Sequence, residues 1–186
     1  MINMPQRAVI DAVSSEFRRY RGLAEAAAGQ LTWEQLRMSL DPATNSISVI
    51  MKHVSGNFRS RWTEPFTTDG EKPWRHRDSE FIDNFADRAA MMEAWNTGWR
   101  VVEGALGGFS DADLGRELRI RGETHTLVLA LARSLAHSAY HCGQIVQVAR
   151  VLASRAGTPW RTLTVARGDS EAFNKSKGFD PSDLKP

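Results

Sequence analysis

The stretch L-A-H-S-A-Y-H-C-G-Q-I, residues 135–145, places two histidines and the chain's only cysteine within eleven positions. It lies inside a run from Thr126 to about Ala153 that contains no proline and one glycine, Gly143. Leu127, Leu131 and Leu135 form one apolar stripe of that run, and Val128, Ala132, Ala139 and Val146 extend it onto neighbouring faces. A helix that is apolar on more than one face is a buried one. The run therefore predicts the most buried helix of an all-α fold, with Thr126 as its cap.

Three more stretches carry the helical period of 3.6 residues. Val9, Val13, Phe17, Tyr20, Ala24 and Ala27 lie at three/four spacing, and Gly29 stands where a helix would stop. Asn45 and Ser46 are capping residues before Ile47, Ile50, Val54, Phe58 and Trp62, with Pro65 closing that segment. Phe85, Met92, Trp95, Trp99, Val102 and Leu106 make the next stripe, which ends at Gly107-Gly108. The expectation is a four-helix bundle over about residues 5–154, with an irregular tail, 155–186, packing on it, and a single domain from 1 to 186. Residues 119–126, R-I-R-G-E-T-H-T, predict a short β-hairpin around Gly122-Glu123 before the last helix.

Residues 63–78 read as a long polar loop with three aromatic rings, those of Phe66, Trp74 and His76. Loops of that length in a compact domain are commonly functional. Thr32 with Gln35, and Ser110 with Asp113, have capping-box spacing. Each such turn follows one helix and precedes an irregular stretch leading to a helix with a central histidine, which suggests two helix pairs related by a pseudo-twofold axis.

The chain has 186 residues, 41% of them hydrophobic, six tryptophans and a formal net charge of +2. Its basic residues form no run and no basic helix face, so neither nucleic acid nor an anionic membrane is expected as a partner. One cysteine excludes an intramolecular disulfide framework. The first thirteen residues hold no apolar stretch of signal-peptide length, and the expected location is cytoplasmic.

On a helix, His137 and His141 share a face, with Cβ atoms about 5–6 Å apart, so both imidazoles can reach one ion. Taken alone, the pattern H-x-x-x-H fits two hydrogen-bonded core histidines equally, and it lacks the glutamate of the zinc-protease motif. A third ligand must come from elsewhere. His125 lies twelve residues before His137, about 18 Å along a helix. His76 is in the long loop. His53 is mid-helix, and in an antiparallel bundle the middles of two helices meet, so His53 is the best third ligand. Three imidazoles leave coordination positions open, as in a catalytic rather than a structural site. In the internal repeat Asn57 matches His141, which aims it at the metal cavity or leaves it an interhelical residue. Cys142 points about 100° away from His141 and shares a face with small residues, which makes it packing rather than a nucleophile.

Residues 45–62, 67–81, 120–126 and 135–145 resemble the DinB/YfiT-like superfamily of four-helix-bundle metalloproteins, and most closely a bacterial subfamily of unknown function. The resemblance implies a three-histidine site matching His53, His137 and His141, a divalent metal ion, zinc or nickel, and a homodimer. It also implies a metal-dependent transferase acting on a small-molecule thiol or related electrophile. Arg61 and Trp62, with Arg59 and the 69–77 loop, would then supply carboxylate-binding and aromatic walls for substrate. The alternatives are a metal-dependent hydrolase and a non-catalytic metal- or ligand-binding stress-response dimer, for which the small face Ala132, Ala139, Cys142 and Ala149 suits close helix approach.

Overall fold

The computed structural model describes residues 6–180; residues 1–5 and 181–186, where the expected domain begins and ends, lie outside the described residues. The described residues are predominantly helical, with one small antiparallel sheet among them. Four helices are long: α1 (Ala8–Ala28), α3 (Ile47–Trp62), α4 (Arg88–Gly107) and α5 (Leu127–Arg155). Two are short, α2 (Trp33–Arg37) and α6 (Ser170–Ser176). α3 packs chiefly on α4 and α1 on α5, while α3 and α5 also meet each other. No helix among the described residues is long and apolar enough to cross a membrane.

The caps explain where the helices start. Ser46, Asp87 and Thr126 each accept from a backbone N–H one turn into α3, α4 and α5, supplying partners to amides that the helix leaves unpaired. The start of α1 is capped from a distance: the Asp111 carboxylate accepts from the amides of Val9 and Ile10, both at 3.0 Å. Arg7 in turn donates to the carbonyls of Leu106 and Phe109 at the end of α4. Asp87 also corrects one expectation. Phe85 precedes that cap and is not part of α4, although it still packs on the core. Both capping-box turns exist, at Thr32–Gln35 and Ser110–Asp113.

The core between the helices is aromatic. Phe58 of α3 lies edge-on to Trp99 of α4 at 4.8 Å, Phe17 of α1 contacts Phe58 at 5.9 Å, and Trp95 contacts Trp99 at 5.4 Å. Edge-to-face contacts of this kind satisfy the ring quadrupoles. α3 and α4 approach closely at Gly98, where an added Cβ would lie 2.6 Å from the Ser55 Cα. The tail contributes Trp160 and Leu163 to the core margin, whereas Phe173 on α6 is exposed.

The hairpin pairs β1 (Glu117–Ile120) with β2 (Glu123–Thr126), Glu117 opposite Thr126 and Ile120 opposite Glu123. Its turn is therefore Arg121-Gly122, one residue earlier than the sequence implies. Both residues have positive φ, 56° and 78°, the two-residue turn that matches strand twist. Asp69 fixes this turn from the long loop by accepting from the Arg121 and Gly122 amides at 2.8 and 2.7 Å. The 63–76 loop is thus tied to the hairpin and runs into a 3-10 turn, Arg77–Phe81.

Gly98→Ala should lower unfolding stability by about 1–3 kcal/mol, because the obstacle is backbone and α3 must move. Urea denaturation measures this; an unchanged midpoint would show that the two helices separate at no cost.

Candidate metal centre

α3 and α5 bring three imidazoles together as the sequence predicts. The ligand atoms of His53, His137 and His141 lie within 4.8 Å of one another. The Nε2 atom of His137 is 3.2 Å from that of His53 and 3.1 Å from that of His141. Metal–nitrogen bonds of 2.0–2.1 Å at tetrahedral angles put ligand nitrogens about 3.3 Å apart, so the spacing suits one ion. His76 is exposed in the loop and His125 sits on β2; neither joins the cluster.

What the sequence did not disclose is how the rings are held. His53 Nδ1 donates to Glu80 Oε2 at 2.8 Å, and His141 Nδ1 faces Gln144 Oε1 at 2.8 Å. Both contacts keep the proton on Nδ1 and leave the Nε2 lone pair directed at the cluster. With two rings so fixed, the single Nε2 proton that His137 can carry can satisfy only one of its two neighbours. A cation satisfies all three. The His137 Nδ1 is buried and has no hydrogen-bond partner among the described residues.

Glu80 reaches His53 from the 3-10 turn. The turn is held to α3 by Lys52, whose ammonium donates to the carbonyls of Ser79 and Ile82 and to the Asn84 side chain. Arg75 grips Glu80 from the other side, Nε to Oε1 at 2.8 Å and Nη2 to Oε2 at 3.0 Å. Both side chains are buried. Burial alone would raise the Glu80 carboxyl pKa, but the hydrogen bonds from His53 and Arg75 outweigh it and hold the group below the ordinary range. Phe81 from the same turn stacks on the His53 ring at 4.9 Å. Space for the carboxylate depends on Gly56, one turn after Lys52, because a Cβ there would overlap the Glu80 side chain.

Burial, with the nearby imidazoles of His141 and His53 adding to it, holds the His137 pKa down to about 3. His141 is lowered too, first by burial. Both rings are therefore neutral at pH 7, the state that binds metal. Cys142 is a buried thiol whose pKa burial raises to about 11, and its Sγ donates to the Tyr20 carbonyl of α1. It packs, as its position on the helix implies.

A cavity of about 340 Å³ opens beside His137 between α3, the hairpin and α5. Asn57, Arg61 and Trp62 all line it. Arg61 is engaged by the Glu71 carboxylate at 3.2 Å, and the Trp62 indole N–H donates to Ser134 at 3.1 Å. The rest of the wall comes from the hairpin and α5 rather than from the long loop. Arg59 points away and stacks on the exposed Trp74.

With a divalent ion held by the three imidazoles, Glu80→Gln would remove the charge that strengthens His53 as a ligand and should weaken the affinity by about 10–100-fold. Competition against a chromogenic chelator reads this; an unchanged affinity would make Glu80 a purely structural residue. The pH dependence of the metal-free chain has a definite sign. His137 takes its proton at about pH 3 in the fold, against 6.5 ordinarily. As pH falls through 6.5 the unfolded chain takes up a proton that the folded chain refuses, so stability declines. The melting temperature should therefore drop between pH 6.5 and 4, and His137→Gln should lessen that slope. An identical slope in the variant would assign the acid sensitivity elsewhere.

No curated protein and no solved structure matches the chain. A family model does: the family described as a protein of unknown function, DUF1572, matches residues 5–169. The chain belongs to the DUF1572 family.

Proposed function

We propose that the chain is a metal-dependent transferase of the DinB-like superfamily, its four long helices forming that superfamily's bundle, acting on a small-molecule thiol or related electrophile. The observation that carries the metal reading is the convergence of three Nε2 atoms, two of them fixed by hydrogen bonds at Nδ1. The ligand order, one from α3 and two from α5, supports the superfamily. Three protein ligands leave a tetrahedral ion one position open, and the cavity beside His137 gives that position access. A divalent ion, zinc or nickel, would supply Lewis acidity there, lowering the pKa of a thiol entering from the cavity. Glu80 and Gln144 orient the ligand rings, Trp62 supplies an apolar wall, and Asn57 presents an amide that has no hydrogen-bond partner among the described residues.

Elemental analysis of the purified protein should find one divalent ion per chain, lost in His53→Ala. Cobalt substituted for that ion should change its visible spectrum when a thiol is added. Stoichiometric metal retained by His53→Ala would remove that residue from the site, and a cobalt spectrum indifferent to thiols would count against the transferase reading.

A further inference from the structure

Three guanidinium groups, those of Arg61, Arg121 and Arg133, line the cavity in front of His137. Arg61 and Arg121 share one carboxylate, Glu71, at 3.2 and 2.9 Å. Arg133 is different. Among the described residues it pairs with no carboxylate, and its one hydrogen bond goes to His125 Nε2 at 2.6 Å. The other nitrogen of that buried imidazole, Nδ1, faces the Glu123 carbonyl oxygen at 3.1 Å. The carbonyl requires a proton on Nδ1, so Nε2 is the acceptor and the ring is neutral. A neutral ring aims the guanidinium without cancelling its charge. The only carboxylate in the cavity wall, Glu123, makes no ion pair among the described residues.

Position gives this cation its meaning. Arg133 lies four residues before His137 on α5, on the same face and about 6 Å along the axis. A molecule in the cavity thus meets the three-histidine centre at one end and an uncompensated guanidinium one helical turn away. The fork of a guanidinium matches the two oxygens of a carboxylate.

We propose that the cavity takes a small carboxylate-bearing substrate, its carboxylate on Arg133 and its reacting group at the three-histidine centre. This rests on the metal reading above and adds the substrate class. Asn57, across the cavity on α3, is the neighbouring polar contact.

The test compares 3-mercaptopropionate with 3-mercapto-1-propanol, titrated into cobalt-loaded protein and read by absorption. The wild-type chain should bind the carboxylate at least about 10-fold more tightly, equivalent to one charge-assisted contact of about 1.4 kcal/mol. Arg133→Gln should bring the two within about threefold. A wild-type preference below threefold overturns the proposal, as does a preference that survives in the variant, since chelation of cobalt by the carboxylate would persist there. If cobalt does not bind, or neither thiol perturbs it, the metal or thiol reading has failed separately. Succinate binding by calorimetry then decides: heat present in the wild type and lost in Arg133→Gln supports the carboxylate site, and no heat in the wild type overturns it.

Discussion

A buried carboxylate held between a guanidinium and an imidazole organises this molecule. Glu80 has Arg75 on one side and His53 on the other, all three out of water. Removing such charges from water costs several kcal/mol per ion, and only close geometry with full hydrogen bonding offsets it. The surrounding chain supplies the close geometry, with only Arg75 Nη1, 3.6 Å from the Glu71 carboxylate, left without a hydrogen bond among the described residues. Gly56 leaves the space, Lys52 clamps the 3-10 turn, and Phe81 covers the ring. Asp69 anchors the preceding loop to the hairpin. The loop, the turn and the hairpin are thereby coupled to the middle of α3, and the His53 nitrogen that faces the other two imidazoles has one direction available to it.

The same coupling joins site to core. Trp62 ends α3 in the core, and its indole reaches Ser134 on α5, three residues before His137. The close contact of Gly98 with Ser55 seats α3 against α4 two residues beyond His53. Small displacements of α3 therefore alter the separation of His53 from the α5 pair, which makes the centre a sensitive reporter of packing.

The histidines were legible in the sequence because helical spacing is a strong constraint. An i, i+4 pair must share a face, and His53 lies three and four residues after Ile50 and Val49, whose apolar side chains mark the buried face of α3. The boundaries of α1, α3 and α5 were legible for a similar reason, since Gly29, Ser46 and Thr126 are local signals. Glu80 was not, because its role depends on a turn that carries no periodicity and on partners at positions 53 and 75. Gln144 does carry a local signal: it lies three residues after His141, within reach on the same helix face. Asp111 capping α1 has no sequence signature at all, since donor and acceptor lie a hundred residues apart. The hairpin turn was misplaced by one residue because Arg121, an improbable residue for positive φ, takes that conformation with Asp69 bonding its amide.

The sole cysteine has one further consequence. Cys142 is buried, keeps its proton far above neutral pH and is occupied with the Tyr20 carbonyl. Electrophiles, oxidants and disulfides in the surrounding solution therefore find no thiolate on the described chain to attack. Thiols and disulfides can therefore be added without a competing exchange at Cys142, which separates what they do at the three imidazoles from any chemistry of the protein's own thiol.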